Sequence, residues 1–296
     1  MVSGQNKENF NEGFRFSKLK SNFSKQEYIK TVKKALRYIA QGDIYQVNLS
    51  QRFEFDGGQK SIDWIDLYQI LREFSPSDFG CYFDAGDFQI ISSSPERFLN
   101  LRGRTVTTSP MKGTRRRGKN VQEDARLQKQ MLASLKDKAE LLMVTDLERN
   151  DLGRVCEFGS VKVKKMREVE KYRFVFQTTS TVEGTLRRDK DVFDLLQACF
   201  PSGSITGCPK IRAMEIIEEL EPTRRAFYTG SLGYISVAGG MDFNVLIRTL
   251  LISRNKVYFQ AGGGIVADSK PEDEFRETLI KAEAMKLSLE KLFQRK

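Results

Sequence analysis

The order of strand-like and helix-like segments is the feature that most constrains the fold of this chain. Short strand-like segments separated by Gly, Asp and Ser turns run from Phe79 to Thr108. Three more, in YTGSLGYISV, MDFNVLIRTLLIS and KVYFQAGGGIVA, predict a three-stranded meander. Helices lie between these groups without the regular strand–helix–strand order of a parallel sheet. We therefore predict one large α+β domain, in which antiparallel sheets form a sandwich-like core flanked by helices.

The helical segments set the expected limits of this domain. SKQEYIKTVKKALRYIAQG begins with a capping box formed by Ser24 and Glu27, and NVQEDARLQKQMLASLKDKAELLMVTDLERND predicts one long helix. Residues 1–22 are polar and aperiodic, and they lack the apolar region of a signal peptide. We expect a flexible arm over residues 1–22 and the folded domain over residues 23–296.

The absence of histidine restricts the chemistry open to the chain. None of its 296 residues is histidine, which excludes a Ser-His-Asp or Cys-His catalytic group within it. Its four cysteines have no Cys-x-x-Cys spacing, so they predict neither a zinc site nor a disulfide framework. Acid–base chemistry must then use Glu, Asp, Lys and Tyr. A metal, if used, is expected to be a hard cation bound by oxygen, with Mg²⁺ the first choice.

The net charge of +10 is compatible with nucleic acid, phosphate or a small polyanion as ligand. Lysines and arginines are scattered, apart from Arg115–Arg117 and the run VKVKKMR, and no nucleic-acid-binding motif accompanies them, so nucleic acid is not expected. No apolar run approaches the roughly 20 residues of a membrane span, so no membrane partner is expected. A composition of 40% hydrophobic and 30% charged residues is typical of a cytoplasmic protein.

Two acidic pairs lie on predicted helices with a spacing of three residues. They are Asp137 with Glu140, and Glu274 with Glu277. This spacing puts both members of a pair on one helix face. Four carboxylates from two helices would suit Mg²⁺ with some retained waters. The alternative is that both faces are solvated and paired with neighbouring lysines and arginines.

Two glycine-bearing stretches could contact a ligand through the backbone. GSITGCPK, residues 203–210, precedes a helix, whose free N–H groups could bind an anion, although Thr206 or Ser204 could equally cap that helix. Gly262 to Gly264 follow a strand-like segment, where glycine permits close approach of a ligand or simply a tight turn.

Lys112 and Arg248 are the two cations with unusual surroundings. Lys112 follows a strand-like segment in TTSPMKGT and precedes Arg115–Arg117, which would disfavour its ammonium form and lower its pKa if it is also desolvated. Glu96, in ISSSPERFLN, is expected on the preceding strand of a hairpin, as a neighbouring acid. An exposed loop lysine is the alternative. Arg248 lies in the apolar run NVLIRTLLI, where a buried arginine needs a carboxylate partner.

Taken together, several motifs resemble the chorismate-utilising enzymes from about Ser24 to the C-terminus. In order, they are GDIYQVNLSQRF, SSPERFL, PMKGTRRRG, KAELLMVTDLERNDLGRV, GSITGCPKIRAMEIIEELEP, GSLGYIS, IRTLLI and AGGGIVADSKPEDEFRET. The resemblance implies an anthranilate synthase component I-like fold and a chorismate-binding catalytic domain over residues 23–296. It also implies an N-terminally shortened chain, because full-length relatives carry a longer N-terminal portion.

The lysine in PMKGT resembles component I of aminodeoxychorismate synthase, since the anthranilate branch has alanine there. This resemblance implies amination of chorismate to 4-amino-4-deoxychorismate for para-aminobenzoate and folate synthesis. Lys112 would add to C2 of chorismate as the 4-hydroxyl leaves, with Glu96 as the general acid, and ammonia would then attack C4 and expel the lysine. Ammonia would come from a separate glutamine amidotransferase subunit, because this chain lacks the histidine that releases it from glutamine.

The resemblance also implies roles for the remaining residues. Mg²⁺ would bind the ring carboxylate, held directly by Glu140 and Glu277 and through water by Asp137 and Glu274. The enolpyruvyl carboxylate would contact Tyr234, Arg248, Gly262, Gly263, Gly264 and Lys281. Thr114 and Ser204 would line the ring, and Gln177 would hydrogen-bond the substrate where relatives often carry histidine. Two alternatives stay open: an anthranilate, isochorismate or salicylate-type synthase, and a non-catalytic basic binding protein.

Overall fold

The computed structural model describes residues 19–57, 62–172 and 175–294. The strands, in chain order, are β1 (Leu19–Ser21), β2 (Gln46–Asp56), β3 (Phe79–Asp84), β4 (Phe88–Ser94), β5 (Arg97–Arg102), β6 (Thr105–Ser109), β7 (Met111–Arg116), β8 (Lys162–Lys171), β9 (Val175–Thr185), β10 (Gly207–Cys208), β11 (Gly233–Ile235), β12 (Met241–Asn244), β13 (Thr249–Ser253) and β14 (Lys256–Ile265). The helices are α1 (Lys25–Ala40), α2 (Trp64–Phe74), α3 (Val121–Ala133), α4 (Leu135–Gly153), α5 (Val192–Cys199), α6 (Lys210–Leu220) and α7 (Pro271–Gln294), with a 3₁₀ turn at Gly203–Ile205.

The described strands form two seven-stranded sheets, and every pairing in them is antiparallel. The first sheet has the order β1-β2-β14-β13-β4-β3, with β10 also paired to β2. The second has the order β11-β12-β5-β6-β9-β7, with β8 also paired to β9. The predicted α+β class with antiparallel sheets is confirmed.

Each sheet buries its apolar side chains against helices. In the first sheet, Phe53, Leu250 and their neighbours pack with residues of α2 and α7, while α1 and α6 cover β2 near Val47. In the second, Leu99 and its neighbours pack with residues of α5 and the end of α4. Because the apolar contacts lie between helix and sheet, buried polar side chains can collect where the two sheets meet.

Of two predicted helical features, the structure confirms the capping box and corrects the long helix. The capping box of Ser24 and Glu27 is present at the start of α1. The predicted long helix is interrupted at Ser134, whose side chain instead accepts a hydrogen bond from the Asp137 N–H and begins α4. The predicted arm also changes, because Leu19–Ser21 form β1 and pair with β2. Residues 1–18 lie outside the described part of the chain.

The predicted meander is wrong, since its strands belong to different sheets. β11 and β12 pair in the second sheet, whereas β13 and β14 pair in the first. The chain changes sheet between Asn244 and Thr249, where Arg248 has a left-handed backbone with φ of 49°. The apolar alternation continues through this crossing, so the sequence pattern conceals it.

A second crossing lies beside the first. The chain also changes sheet between β4 and β5, at Pro95 and Glu96. The Val245 N–H donates to the Glu96 carbonyl over 3.0 Å, which ties the two crossings together. Glu96 and Arg248 are thereby brought to the junction of the two sheets. Within the described residues, no helix has the length and apolar character to span a membrane.

Candidate active site

A cavity of about 730 Å³ lies at the junction of the two sheets, bordered also by α4 and α7. It gathers most of the residues that the sequence singled out. Those lining it are Glu96, Lys112, Thr114, Asp137, Glu140, Gln177, Ser204, Arg248, Gly262, Gly264, Glu277 and Lys281. Residues far apart in the sequence are therefore brought to one site by the sheet crossings and the two helices.

Lys112 lies on strand β7, opposite Thr178 of β9, rather than in an exposed loop. It is partly buried, and its Nζ donates a hydrogen bond to the Ser204 carbonyl over 3.1 Å. Burial lowers the pKa of the Lys112 amine, and the positive charge of Lys281 adds to this effect. Three carboxylates, Glu140, Glu96 and Glu277, oppose the shift without reversing it. The amine thus loses its proton more readily than an exposed lysine.

The neighbouring arginines do not cause this shift, contrary to the sequence prediction. Arg115 pairs with Asp137, and Arg116 and Arg117 pair with Glu123 and Asp124 near the start of α3. Their charges are therefore neutralised by other acids. Desolvation by the surrounding cavity wall is the dominant cause of the lowered Lys112 pKa.

Glu96 is an almost fully buried acid close to Lys112. It does not lie on a hairpin strand beside Lys112, as the sequence predicted, because β6 and β9 separate β5 from β7 in the sheet. The crossing between the sheets brings it there instead. Burial raises the pKa of Glu96 to about 7, although hydrogen bonds from the Ser204 side chain and the Met111 N–H and the charge of Lys112 favour its ionised form. A carboxyl with this pKa can hold a proton near neutrality and give it up.

Each of the four carboxylates predicted to hold a metal has a cationic side chain beside it. The Lys136 ammonium lies 3.5 Å from Glu274 and 3.8 Å from Glu140. Asp137 pairs with Arg115 at 3.0 Å, and Glu277 pairs with Lys281 at 2.6 Å. In this arrangement, no group of three or more acidic, histidine or cysteine side chains in the described residues is placed to hold a metal ion. The magnesium site stays a prediction.

The chemistry of these acids nevertheless fits a hard cation. The Glu274 Oε2 atom is buried without a hydrogen-bond partner, while its Oε1 accepts from the Ser269 hydroxyl over 2.6 Å. A Cβ on Gly263 would lie 3.1 Å from Glu274 Oε2 and 3.3 Å from Glu277 Oε1, so glycine leaves room between these carboxylates. A cation in place of the Lys136 ammonium would lie near the carboxylates of Glu140 and Glu274, whose oxygens are of the kind that Mg²⁺ prefers.

The three glycines lie within β14, not in a turn. Gly262, Gly263 and Gly264 pair with Ser50, Leu49 and Asn48 of β2. A Cβ on Gly264 would lie 2.8 Å from Gln46 Nε2 and 3.8 Å from Lys112 Nζ, so a side chain there would intrude on the amine. Glycine in this strand keeps the floor of the cavity open beside Lys112.

Arg248 and Lys281 supply positive charge to the cavity wall. The Arg248 guanidinium has no carboxylate within ion-pair distance among the described residues, and burial lowers its pKa, against the opposing influence of Tyr172 and Glu96. Lys281 contacts Glu277 and donates to the Gly262 carbonyl over 2.9 Å. A guanidinium without a partner in a cavity suits a carboxylate ligand.

Tyr234 does not line this cavity. It is 64% exposed on β11 and borders a separate cavity of about 680 Å³, together with Arg97 and the start of β3. This placement follows from the split meander, because β11 belongs to the second sheet and Arg248 leads into the first. Tyr172 is the tyrosine that lines both cavities.

Thr114, Gln177 and Ser204 all line this cavity. The Gln177 amide donates to the Thr114 hydroxyl over 3.4 Å, and its Oε1 is buried without a partner. Ser204 is 3% exposed and hydrogen-bonds Glu96 through its side chain. The partnerless amide oxygen offers a free acceptor.

Sequence reasoning missed two buried amides beside the amine. Both polar atoms of the Gln46 side chain, and the Asn48 Oδ1, are buried without partners. Gln46 touches the space next to Gly264 and Lys112, and Asn48 lines the cavity. In the buried strand segment QVNLSQ, polar residues at every second position lie on one face. This pattern is the sequence signal that could have identified Gln46 and Asn48.

Comparison with known proteins relates the chain to one enzyme family. Residues 2–287 match the family described as chorismate binding enzyme. Anthranilate synthase component 1 of Aquifex aeolicus is 46% identical over 277 residues, which are 93% of this chain and 55% of that protein. Aminodeoxychorismate synthase component 1 of Bacillus subtilis is 44% identical over 268 residues, 90% of this chain and 56% of that protein.

A solved structure gives the same relationship. The crystal structure of anthranilate synthase component I from Streptococcus pneumoniae has a TM-score of 0.82 at 39% identity, covering 90% of this chain and 59% of that chain. The chain spans about half the length of the curated relatives it matches.

The raised pKa of Glu96 predicts a specific pH dependence of stability. Between pH 4.5, the ordinary pKa, and about 7, the native carboxyl keeps a proton that the unfolded chain releases. Glu96 therefore lowers the free energy of unfolding as the pH rises through this window. Glu96→Gln should remove this loss, so the variant gains up to about 3 kcal/mol relative to the unsubstituted protein between these pH values.

Urea unfolding at several pH values measures this difference, with Glu272→Gln as the control for an exposed glutamate. An identical pH dependence in both variants and the unsubstituted protein would contradict the assigned environment of Glu96.

Proposed function

The chain belongs to the chorismate-binding enzyme family, and from this premise we propose that it converts chorismate and ammonia to 4-amino-4-deoxychorismate and water. The observation that carries this proposal is the amine of Lys112, which lines one cavity with Glu96 and has a lowered pKa. A readily deprotonated amine is a nucleophile, and a buried carboxyl with a pKa of about 7 is an acid. These are the two groups that a histidine-free covalent amination requires.

In the first half of the proposed reaction, the neutral Lys112 nitrogen bonds to C2 of chorismate. Both ring double bonds shift, from C1=C2 and C5=C6 to C1=C6 and C4=C5, and the C4–O bond breaks. Glu96 gives its proton to the departing hydroxyl, which leaves as water. In the second half, ammonia bonds to C4, both ring double bonds shift back, and the C2–N bond to Lys112 breaks. The added nitrogen then gives up a proton, which replaces the one that Glu96 supplied to the departing hydroxyl.

Charge complementarity supports chorismate as the substrate. Chorismate carries two carboxylates, and the cavity wall carries Arg248 without a carboxylate partner and Lys281 nearby in the same cavity. We assign the enolpyruvyl carboxylate to Arg248, with Lys281 and the backbone of Gly262 beside it. The buried Gln46 amide, whose nitrogen and oxygen both lack partners, and the partnerless Oε1 of Gln177 offer hydrogen bonds to the remaining polar groups of the substrate.

Mg²⁺ would be held directly by Glu140 and Glu277, with Asp137 and Glu274 acting through water. Bound there, it would neutralise the ring carboxylate of the substrate. Lys136, which lies between Glu140 and Glu274, must move away for the ion to enter, and its long exposed side chain permits this. The cavity residues themselves position the substrate against Lys112.

The ammonia would come from a glutamine amidotransferase subunit. Two of the relatives are named as component 1 of their synthases. This chain has no histidine, so it lacks the Cys-His pair that would release ammonia from glutamine. We further propose a cytoplasmic setting, which accords with the four free cysteines of the structure.

Anthranilate formation is the second candidate. Several of the curated relatives, including the Aquifex aeolicus protein, carry the name anthranilate synthase. An enzyme of that type aminates chorismate without needing a lysine nucleophile. Lys112 in the cavity therefore favours the first candidate.

Product analysis separates the two candidates. Chorismate, ammonium and Mg²⁺ are supplied to the chain, and the products are resolved by chromatography and mass spectrometry. We expect 4-amino-4-deoxychorismate from the unsubstituted protein, none from Lys112→Ala because the nucleophile is gone, and unchanged turnover from the exposed-lysine control Lys119→Ala. Anthranilate or isochorismate as the main product, or full turnover in Lys112→Ala, would refute the proposed reaction.

Metal binding gives a separate prediction. Glu140→Gln removes a direct ligand, so Mg²⁺ affinity measured by calorimetry should fall by more than the roughly 10–100-fold typical of losing an outer-shell partner. Asp146→Asn, at an exposed carboxylate of the same helix, is the matched control and should bind as before. Equal affinity in both variants would place the ion elsewhere.

A further inference from the structure

Glu148, on helix α4, is a buried acid that has no part in the proposed chemistry so far. It is 1% exposed and does not line the cavity. Its Oε1 accepts hydrogen bonds from the Ser202 hydroxyl and the Gly203 N–H, each over 2.9 Å. Its Oε2 is buried with no hydrogen-bond partner. A carboxyl with one partnerless oxygen in the interior needs an explanation.

Two serine hydroxyls connect Glu148 to Glu96. Ser202 Oγ lies 2.9 Å from Glu148 Oε1 and 3.1 Å from Ser204 Oγ. The Ser204 side chain in turn hydrogen-bonds the carboxyl of Glu96. All four residues are at most 5% exposed, and the end of the line at Ser204 and Glu96 opens on the cavity. The result is a continuous series of hydrogen-bonded oxygens between two carboxyls on different elements.

The electrostatic surroundings give Glu148 and Glu96 similar pKa values. Burial raises the pKa of Glu148 to about 7, the negative charges of Asp151 and Glu96 add to this, and Lys210 opposes it. The pKa of Glu96 is also about 7. Cys199 is the remaining titratable group that interacts with Glu148, and burial raises the pKa of its thiol well above the usual range, so it stays neutral. A proton can therefore move between the two carboxyls at little cost.

A structural role for Glu148, in which it anchors the loop with Ser202 and Gly203, explains only part of this arrangement. The Gly203 N–H and the Ser202 hydroxyl both bind Glu148 Oε1, which would anchor the loop that carries Ser204. A glutamine would accept the same two bonds through its amide oxygen. Neither the second, partnerless oxygen nor the bond from Ser202 to Ser204 is explained by anchoring.

We propose that Glu148 acts as a positioning residue that returns a proton to Glu96 through the hydroxyls of Ser202 and Ser204. The inference rests on the proposed function, in which Glu96 protonates the departing hydroxyl. The proton leaves Glu148, each hydroxyl passes on its own proton while receiving another, and Glu96 becomes neutral again before ammonia arrives. After ammonia bonds to C4, the proton released by the new amine travels back along the same line to Glu148, so the cycle closes.

The first test uses the resting protein and needs no turnover. Infrared difference spectra recorded as a function of pH follow the protonated carboxyls of the unsubstituted protein and of Glu148→Gln. The variant removes a negative charge from the line, so we expect the midpoint of the Glu96 band to move to lower pH. An unmoved midpoint means that the two carboxyls are not coupled, and it overturns the proposal whichever product the chain makes from chorismate.

The second test breaks the line while keeping both carboxyls. In Ser202→Ala we expect kcat for amination to fall at least about 10-fold, since proton supply by a positioned group contributes about 10²–10⁴-fold. The rate should then rise with the concentration of a small acid buffer at constant pH, because a diffusing acid replaces the line. Thr206→Val removes a hydroxyl of the same loop that is not part of the line. This variant should turn over at the rate of the unsubstituted protein, and the rate should not depend on the buffer concentration.

Buffer-independent turnover in Ser202→Ala overturns the relay, because a structural role alone would change stability or KM without creating a dependence on added acid. If the product is anthranilate, the proposed function fails, while the infrared result still decides whether Glu148 and Glu96 are coupled.

Discussion

The chemistry proposed for the cavity depends on the desolvation of the Lys112 amine beside several carboxyls. Removing an ammonium from water costs several kcal/mol unless it is well paired, and a lysine can avoid that cost by releasing its proton. Lys112 is placed so that burial outweighs the attraction of Glu96, Glu140 and Glu277. The same desolvation keeps Glu96 protonated near neutrality. Burial thus favours the neutral form of both the amine and the acid, and these are the forms that the proposed covalent amination needs.

The fold produces this desolvation by packing its apolar side chains between helix and sheet. The junction of the two sheets is left for polar groups. A buried arginine fixes part of the cavity wall: Arg225 pairs with Glu221 and donates to the carbonyls of Ile205 and Asn48, two residues that line the cavity. The loop with Ser204 and the strand with Asn48 are thus fixed to one guanidinium. Such a multiply bonded, desolvated pair confers a defined geometry more than it adds net stability.

The sequence predicted those features of the fold and the candidate site that are encoded within a few consecutive residues. The capping box at Ser24, the paired acids of α4 and α7, and the importance of Lys112 were all visible, because each is contained in a few consecutive residues. The source of the lowered Lys112 pKa was not, since the arginines beside it in sequence pair with acids of α3 and α4 in space. The sheet crossing before Thr249 was also hidden, because apolar alternation runs through it, and Tyr234 was consequently assigned to the wrong cavity. Glu148 resembles any helical glutamate until its burial and its link to Ser202 are known.

Covalent trapping on Lys112 is the measurement that tests the central claim most directly. The protein is mixed with chorismate and Mg²⁺ without ammonia, quenched, digested and examined by mass spectrometry. The account predicts an adduct with the mass of chorismate less one water, located on Lys112 and absent from Lys112→Ala. A protein that turns over chorismate with ammonia, yet carries no adduct on Lys112 under any trapping condition, would contradict it.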